Sequence, residues 1–154
     1  MAGKDFTVLD LLDLDLKGHN SLNLRCISGR SGLVRKITIP DLNRPGLALS
    51  GFYESFAYQR CQLFGRGELA YLNKLLQEHN ESYIQQLFTY EIPCCIFTRN
   101  LEPPKEFIDM ADEAGCPILL TDLDSTDFST RLLRVLSNVF APIKAMHGVL
   151  VEVY

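Results

Sequence analysis

Hydrophobic spacing divides the chain into stretches of helical and extended character. Val8, Leu11 and Leu12 share one face of a short helix that Thr7 can cap, with Asp10 in its first turn. Residues 20–27 then alternate loosely, which puts Leu22, Leu24 and Cys26 on one side. The run 33–39 is rich in β-branched residues, and Gly29-Arg-Ser-Gly32 separates it from the first run. Two such runs around a glycine-containing connection predict a hairpin or adjacent strands. Asn43 to Phe52 is of another kind, a turn-rich stretch punctuated by Pro45-Gly46 and Gly51.

The second half is more regular. Leu69, Leu72, Leu75 and Leu76 have the spacing of a helix over 67–77, and a shorter helix is expected over 81–88. A strand at 92–98, a helix at 104–114 stopped by Gly115, a strand at 117–121 and a helix at 125–139 follow. This alternation predicts an α/β fold, a mixed or partly parallel sheet flanked by helices, with the 92–98 and 117–121 strands parallel. Pro142 breaks the last helix. Beyond it, Met146-His-Gly-Val-Leu-Val-Glu-Val-Tyr154 alternates like a buried strand, with nothing after it to pair or cover it. The expected organisation is therefore an α/β domain over 1–141, with a linker and the first strand of a truncated second domain over 142–154.

Composition narrows the class without pointing to chemistry. At 154 residues and 17.4 kDa, the chain is long enough for one ordinary core and needs no disulfide or metal staple. A hydrophobic fraction of 47% with 22% charged residues excludes disordered, collagenous and disulfide-scaffold classes. No apolar run approaches the roughly 18 residues of a membrane span, so no membrane association is expected. Acid at Asp5 with no following apolar h-region argues against a signal peptide, and a cytoplasmic address is expected. A net charge of −4 argues against a sequence-independent grip on nucleic acid. The five cysteines are scattered without a C-x-x-C pair, and His19, His79 and His147 lie far from them, so no metal site is expected. Cys94-Cys95 falls inside the apolar run 92–97 and reads as small core hydrophobes.

Candidate chemistry is sparse. No Walker A loop, G-x-G-x-x-G, H-E-x-x-H or G-x-S-x-G occurs. Gly65-Arg-Gly67 starts like a dinucleotide loop, but Ala70 takes the third position and no characteristic strand is evident before it. Ser125 stands at a helix start, where it can act as N-cap or line an anion site. Thr121 and Asp122 end a strand and would border the same crevice, where open α/β sheets bind ligands. Arg44, beside the Pro45-Gly46 turn, and Arg99, just after the 92–98 strand, are anionic-ligand anchors or solvated loop arginines. Glu102-Pro-Pro-Lys105 reads as a helix lead-in. His147 begins the terminal apolar run, where spacing alone favours a structural role.

Several stretches recur together in order. They are Asn43-Arg-Pro-Gly-Leu47 with Gly51-Phe52, Arg60-Cys-Gln-Leu-Phe-Gly65 with Glu68, Thr98-Arg-Asn-Leu-Glu-Pro-Pro104, Ser125 to Arg131, and Met146 to Tyr154. The set resembles the N-terminal portion of bacterial HPr kinase/phosphorylase over nearly the whole chain. In that family the terminal His-Gly-Val-Leu-Val-(acid)-Val-Tyr leads into the Walker A loop. The opening 1–18 is generic, and Cys61 and Cys94-Cys95 are idiosyncratic.

The resemblance implies a two-domain enzyme. Its N-terminal domain would be α/β and similar to the uridine-nucleotide-binding domain of muramyl-peptide ligases. Its C-terminal domain would carry the P-loop, the magnesium site and the chemistry. The implied activity is ATP-dependent phosphorylation of a serine of the phosphocarrier HPr, reversed by phosphorolysis, which controls carbon catabolite repression and sugar uptake. The implied assembly is a homo-oligomer, a hexamer. One implied catalytic position falls within this chain, His147, while ATP and Mg²⁺ belong to the full enzyme and no cofactor belongs to this chain. The 154 residues alone are expected to be inactive, because phosphoryl transfer rests on the loop, its Lys and Mg²⁺. Two rivals remain at this stage. One is a stand-alone α/β module sensing a nucleotide or phosphorylated metabolite; the other is a domain that mainly supplies an oligomer interface.

Overall fold

A computed structural model describes residues 5–18 and 21–142. His147, the run 146–154 and the domain boundary expected at 141/142 therefore lie outside, or at the limit of, the described residues.

The first helix, α1 (Val8–Leu16), begins as its sequence dictates. The Thr7 hydroxyl accepts from the Asp10 amide, and the Asp10 carboxylate accepts from the Thr7 amide. Strand β1 (Arg25–Ser28) follows, then a 3₁₀ turn at Arg30–Gly32, β2 (Leu42–Asn43), α2 (Gly46–Leu49), β3 (Cys61–Phe64) and α3 (Arg66–Gln77). The remaining elements are α4 (Ser82–Leu87), β4 (Cys95–Phe97), α5 (Lys105–Ala114), β5 (Ile118–Leu120) and α6 (Ser125–Val139). Gly115 ends α5 in the left-handed conformation at φ +72°, as its position predicted.

The five strands form one mixed sheet in the order β1-β5-β4-β3-β2. β2, β3, β4 and β5 run parallel, and β1 pairs antiparallel with β5. The expected α/β class and the parallel pairing of the last two strands are thus observed. Period-two alternation splits the sheet into two cores. Phe64, Cys95, Phe97, Ile118 and Leu120 face α2 to α5, while Cys61, Leu63, Ile96 and Leu119 face α1 and α6. Phe64 stacks on Phe97 with ring centroids 4.5 Å apart, and Phe107 of α5 meets both rings edge-on.

Three expectations are corrected. The runs 20–27 and 33–39 form no hairpin, because β1 pairs with β5 instead. Residues 35–37 bond to 6–8, around an isolated antiparallel bridge between Thr7 and Lys36. A strand does precede Gly65: β3, whose four residues are all buried. Its Gln62 masks the apolar pattern yet is satisfied internally. It donates to the Ala57 and Arg60 carbonyls and accepts from Asn43. Finally, Asp124 rather than Ser125 is the N-cap of α6, accepting from the Asp127 amide at 2.7 Å.

Candidate functional site

The parallel strands β2 to β5 all end on one edge of the sheet, the edge where open α/β folds place their ligands. The sequence puts Arg44 directly after β2, Gly65 after β3, Thr98 and Arg99 after β4, and Thr121 after β5. Helices α3 and α6 start from the same edge.

Two of the candidates meet. A β-carbon on Gly65 would lie 2.5 Å from Arg44 Nη2 and 2.8 Å from Ser125 Oγ, so the absence of a side chain there lets both approach the backbone. Arg44 is committed to Glu68, with Nε–Oε2 at 3.0 Å and Nη2–Oε1 at 2.8 Å. Glu68 also accepts from the Gly65 amide at 2.8 Å. Burial pushes the Glu68 carboxyl up, but the bonds from Arg44 and Gly65 outweigh it and hold the group below its ordinary value. An internal carboxylate thus occupies the N-terminus of α3, the place a bound pyrophosphate would take in a dinucleotide fold.

The hydroxyls are committed as well. Ser125 Oγ lies 2.7 Å from Thr98 Oγ1, which also approaches the Phe64 carbonyl at 3.4 Å. Thr121 Oγ1 donates to the Leu22 carbonyl at 2.7 Å and accepts from the Leu123 amide. Arg99 stands apart. It and Asn100 both adopt left-handed backbone, at φ +59° and +54°, held by bonds from their amides to the Leu123 and Thr121 carbonyls. Among the described residues the Arg99 guanidinium makes no ion pair.

The structure therefore brings Arg44 and Ser125 together and leaves Arg99 and Thr121 in separate roles. Sequence reading missed Glu68 and Gly65 as the pieces that organise the edge. The signal was available: a glycine followed three residues later by Glu at a helix start is the spacing by which an N3 carboxylate reaches back to the cap amide. Among the described residues no group of three or more His, Cys, Asp and Glu is placed to hold a metal ion. No helix there is long and apolar enough to cross a membrane. Among the described residues of this edge, Arg44, Glu68, Thr98, Ser125 and Thr121 each hold a partner within the chain, and the Arg99 guanidinium stands outside that scaffold.

Comparison with known proteins gives a consistent assignment. The family described as HPr Serine kinase N terminus matches residues 8–136. The HPr kinase/phosphorylase of Treponema pallidum (strain Nichols) is 57% identical over 144 residues, covering 94% of this chain and 45% of the relative. That of Leptospira biflexa serovar Patoc is 37% identical over 139 residues, covering 90% and 43%. That of Bacillus subtilis (strain 168) is 38% identical over 132 residues, covering 86% and 43%. The chain thus spans less than half the length of these curated relatives. Among solved structures it is similar to the CBS and DRTGG domains of the regulatory region of Clostridium perfringens pyrophosphatase, which were crystallised with the activator diadenosine tetraphosphate. That match has a TM-score of 0.54 at 17% identity, covering 86% of this chain and 52% of that one. This neighbour shares the fold, and it is not the muramyl-peptide-ligase domain that the resemblance implied. With a family match across most of its length and relatives of one name on every side, the chain belongs to the HPr Serine kinase N terminus family.

Proposed function

We propose that this chain is the N-terminal half of a bifunctional HPr kinase/phosphorylase. The full enzyme phosphorylates a serine of HPr with ATP and removes the phosphate by phosphorolysis, so regulating carbon catabolite repression and sugar uptake in the cytoplasm. The observation that carries this reading is the identity of up to 57% to enzymes of that name, of which the chain matches only about 45%. Residues 1–141 form the N-terminal domain, and 142–154 lead into a catalytic domain beyond Tyr154.

The absence of a Walker A loop and of a metal-ligating cluster among the described residues supports that division of labour. Phosphoryl transfer needs a phosphate cradle, its lysine and Mg²⁺, which together position and neutralise the transferred group. On this reading the cradle, its lysine and the Mg²⁺ site belong to the downstream domain, and the 154 residues alone do not turn over ATP. His147 is the one catalytic position in this chain, and it acts only with the downstream loop in place. The working assembly is a homo-oligomer, a hexamer.

An immunoblot of the native protein in its own cells tests the division. A band at about twice 17.4 kDa is expected, since one further ordinary domain adds on the order of 150 residues. A band at 17.4 kDa would overturn it.

A further inference from the structure

A groove of about 360 Å³, lined among others by Val34, Lys36, Thr38, Tyr58 and Glu91, opens far from the sheet edge that carries Arg44 and Ser125. Its size is that of a small-molecule site, where apolar walls surround a few placed polar groups. Tyr58 supplies an aromatic wall: it is 39% exposed, and its ring is backed by Tyr90 with centroids 5.5 Å apart. Val34 adds an aliphatic one.

The polar groups come from the backbone. The Ile37 amide donates to the Phe6 carbonyl at 2.8 Å, and the Val8 amide donates to the Arg35 carbonyl at 3.0 Å. A trans peptide turns its N–H and C=O to opposite sides, so the Lys36 N–H and C=O both face away from residues 6–8. None of residues 6–8 lines the groove, whereas Tyr58 and Glu91 do, which places it on the side to which Lys36 turns. Neither Lys36 group takes a backbone partner among the described residues. A partner strand would find little to pair with. The Arg35 amide is already given to the Gly32 carbonyl at 2.9 Å, and Pro40 has no N–H. One adjacent donor and acceptor beside an aromatic ring instead suits a planar heterocycle whose edge carries the complementary pair.

The charges favour a neutral ligand. Arg35 is committed to the Ile92 and Ala114 carbonyls, and Lys36 already reaches Asp5 at 3.1 Å. Glu91 makes no ion pair among the described residues and is an acceptor for hydroxyls.

We propose that this groove binds a neutral nucleoside. The Lys36 N–H and C=O meet the adjacent acceptor and donor of the base, Tyr58 stacks on its ring, and Glu91 accepts from the sugar hydroxyls. The site does not depend on the kinase reading, since binding is measured on the 154-residue chain without turnover.

Titration of adenosine into the isotope-labelled chain, followed through its amide resonances, tests the assignment. Saturable shifts are expected at Lys36, Thr38 and Tyr58 at millimolar concentration. The dimethylamino analogue of adenosine keeps the ring but lacks the exocyclic donor, and should bind at least about tenfold more weakly. Tyr58→Ala should weaken adenosine by about tenfold, through lost stacking. Lys36→Ala should stay within about twofold, because that residue reads the base through its backbone. A native amide spectrum shows that each variant folds, and the comparison of the two ligands needs no variant. No saturable shift with adenosine, equal binding of the analogue, or adenosine monophosphate bound more tightly than adenosine would overturn the proposal. So would binding by a folded Tyr58→Ala chain at wild-type strength.

Discussion

Arg44 and Glu68 are joined by two N–H···O bonds of 3.0 and 2.8 Å, which tie the end of the edge strand β2 to the first turn of α3. Such two-point pairing fixes orientation as well as distance. It has a direct consequence at the sheet edge. The arginine that the sequence offered as an anchor for an anion already holds one, a carboxylate from its own chain. That carboxylate also satisfies the Gly65 amide, one of the α3 N-terminal donors that would otherwise lack a partner.

The pair should show in the pH dependence of stability. The folded carboxyl of Glu68 lies below its ordinary value: burial raises it, and the bonds from Arg44 and Gly65 more than reverse this. A depressed folded-state value means that the contribution is complete above the unfolded value and is lost as pH falls through the folded one. Arg44 is 51% exposed, so screening reduces the contribution to about 1 kcal/mol. Glu68→Gln should therefore melt below the wild type at neutral pH, with the gap closing as pH drops below about 4. Melting curves across pH check this, and a gap independent of pH would contradict it.

Gly29 should tolerate no side chain. It sits at φ +72°, and a β-carbon there would lie 2.1 Å from the Cys116 carbonyl oxygen and 2.5 Å from its carbon. Both are backbone atoms at the entry to β5 and cannot swing aside. Gly29→Ala is expected to cost upwards of about 3 kcal/mol, combining left-handed strain with the clash. Gly46, in α2, has nothing within 4 Å of its would-be β-carbon, and Gly46→Ala should gain up to about 1 kcal/mol. Urea denaturation of the two variants measures the contrast.

The cysteines should be silent in the native protein. Cys61, Cys94, Cys95 and Cys116 are fully buried. The adjoining Cys61 thiol, together with burial, pushes Cys94 well up, while burial and the Cys116 thiol do the same for Cys95. A thiol kept protonated and out of solvent is a poor nucleophile. Cys26, half-buried and also raised by burial, is the only one within reach of reagent. Mass spectrometry after brief alkylation should find at most one adduct on the folded chain and five on the denatured one.

Arg35 should matter more than its half-buried position suggests. Its guanidinium donates to the Ile92 carbonyl at 2.7 Å and to the Ala114 carbonyl, at the end of α5, at 2.8 Å. Arg35→Met removes both charge-assisted bonds and should cost about 2–4 kcal/mol. Arg66, exposed on the first turn of α3, has no such ties, and Arg66→Ala should stay within about 0.5 kcal/mol. Chemical denaturation of both variants checks the difference.

The legible parts of the sequence were those whose signal is local. Leu72 and Leu75 mark the buried face of α3, Thr7 and Asp10 announce the start of α1, and Gly115 ends α5. What escaped depended on partners distant in sequence. β3 was hidden because buried Gln62 breaks its apolar run, and only its bonds to Asn43, Ala57 and Arg60 make that residue tolerable in a central strand. The hairpin failed because Cys26 pairs with Leu119, a choice no glycine spacing at 29–32 could reveal. At the sheet edge Arg44 and Ser125 were found, but their convergence rests on Gly65 and Glu68, which belong to the strand–helix junction that was missed.

Transfer of the γ-phosphate of ATP to HPr in the presence of Mg²⁺ tests the central claim most directly. It is to be measured with the 154-residue chain and with the protein extended through the proposed downstream domain. The account predicts no serine phosphorylation by the first. The second should phosphorylate HPr, transfer that phosphoryl group from the serine to inorganic phosphate with formation of pyrophosphate, and lose activity on His147→Ala. Phosphorylation by the 154 residues alone, or none by the folded, extended protein, would contradict it.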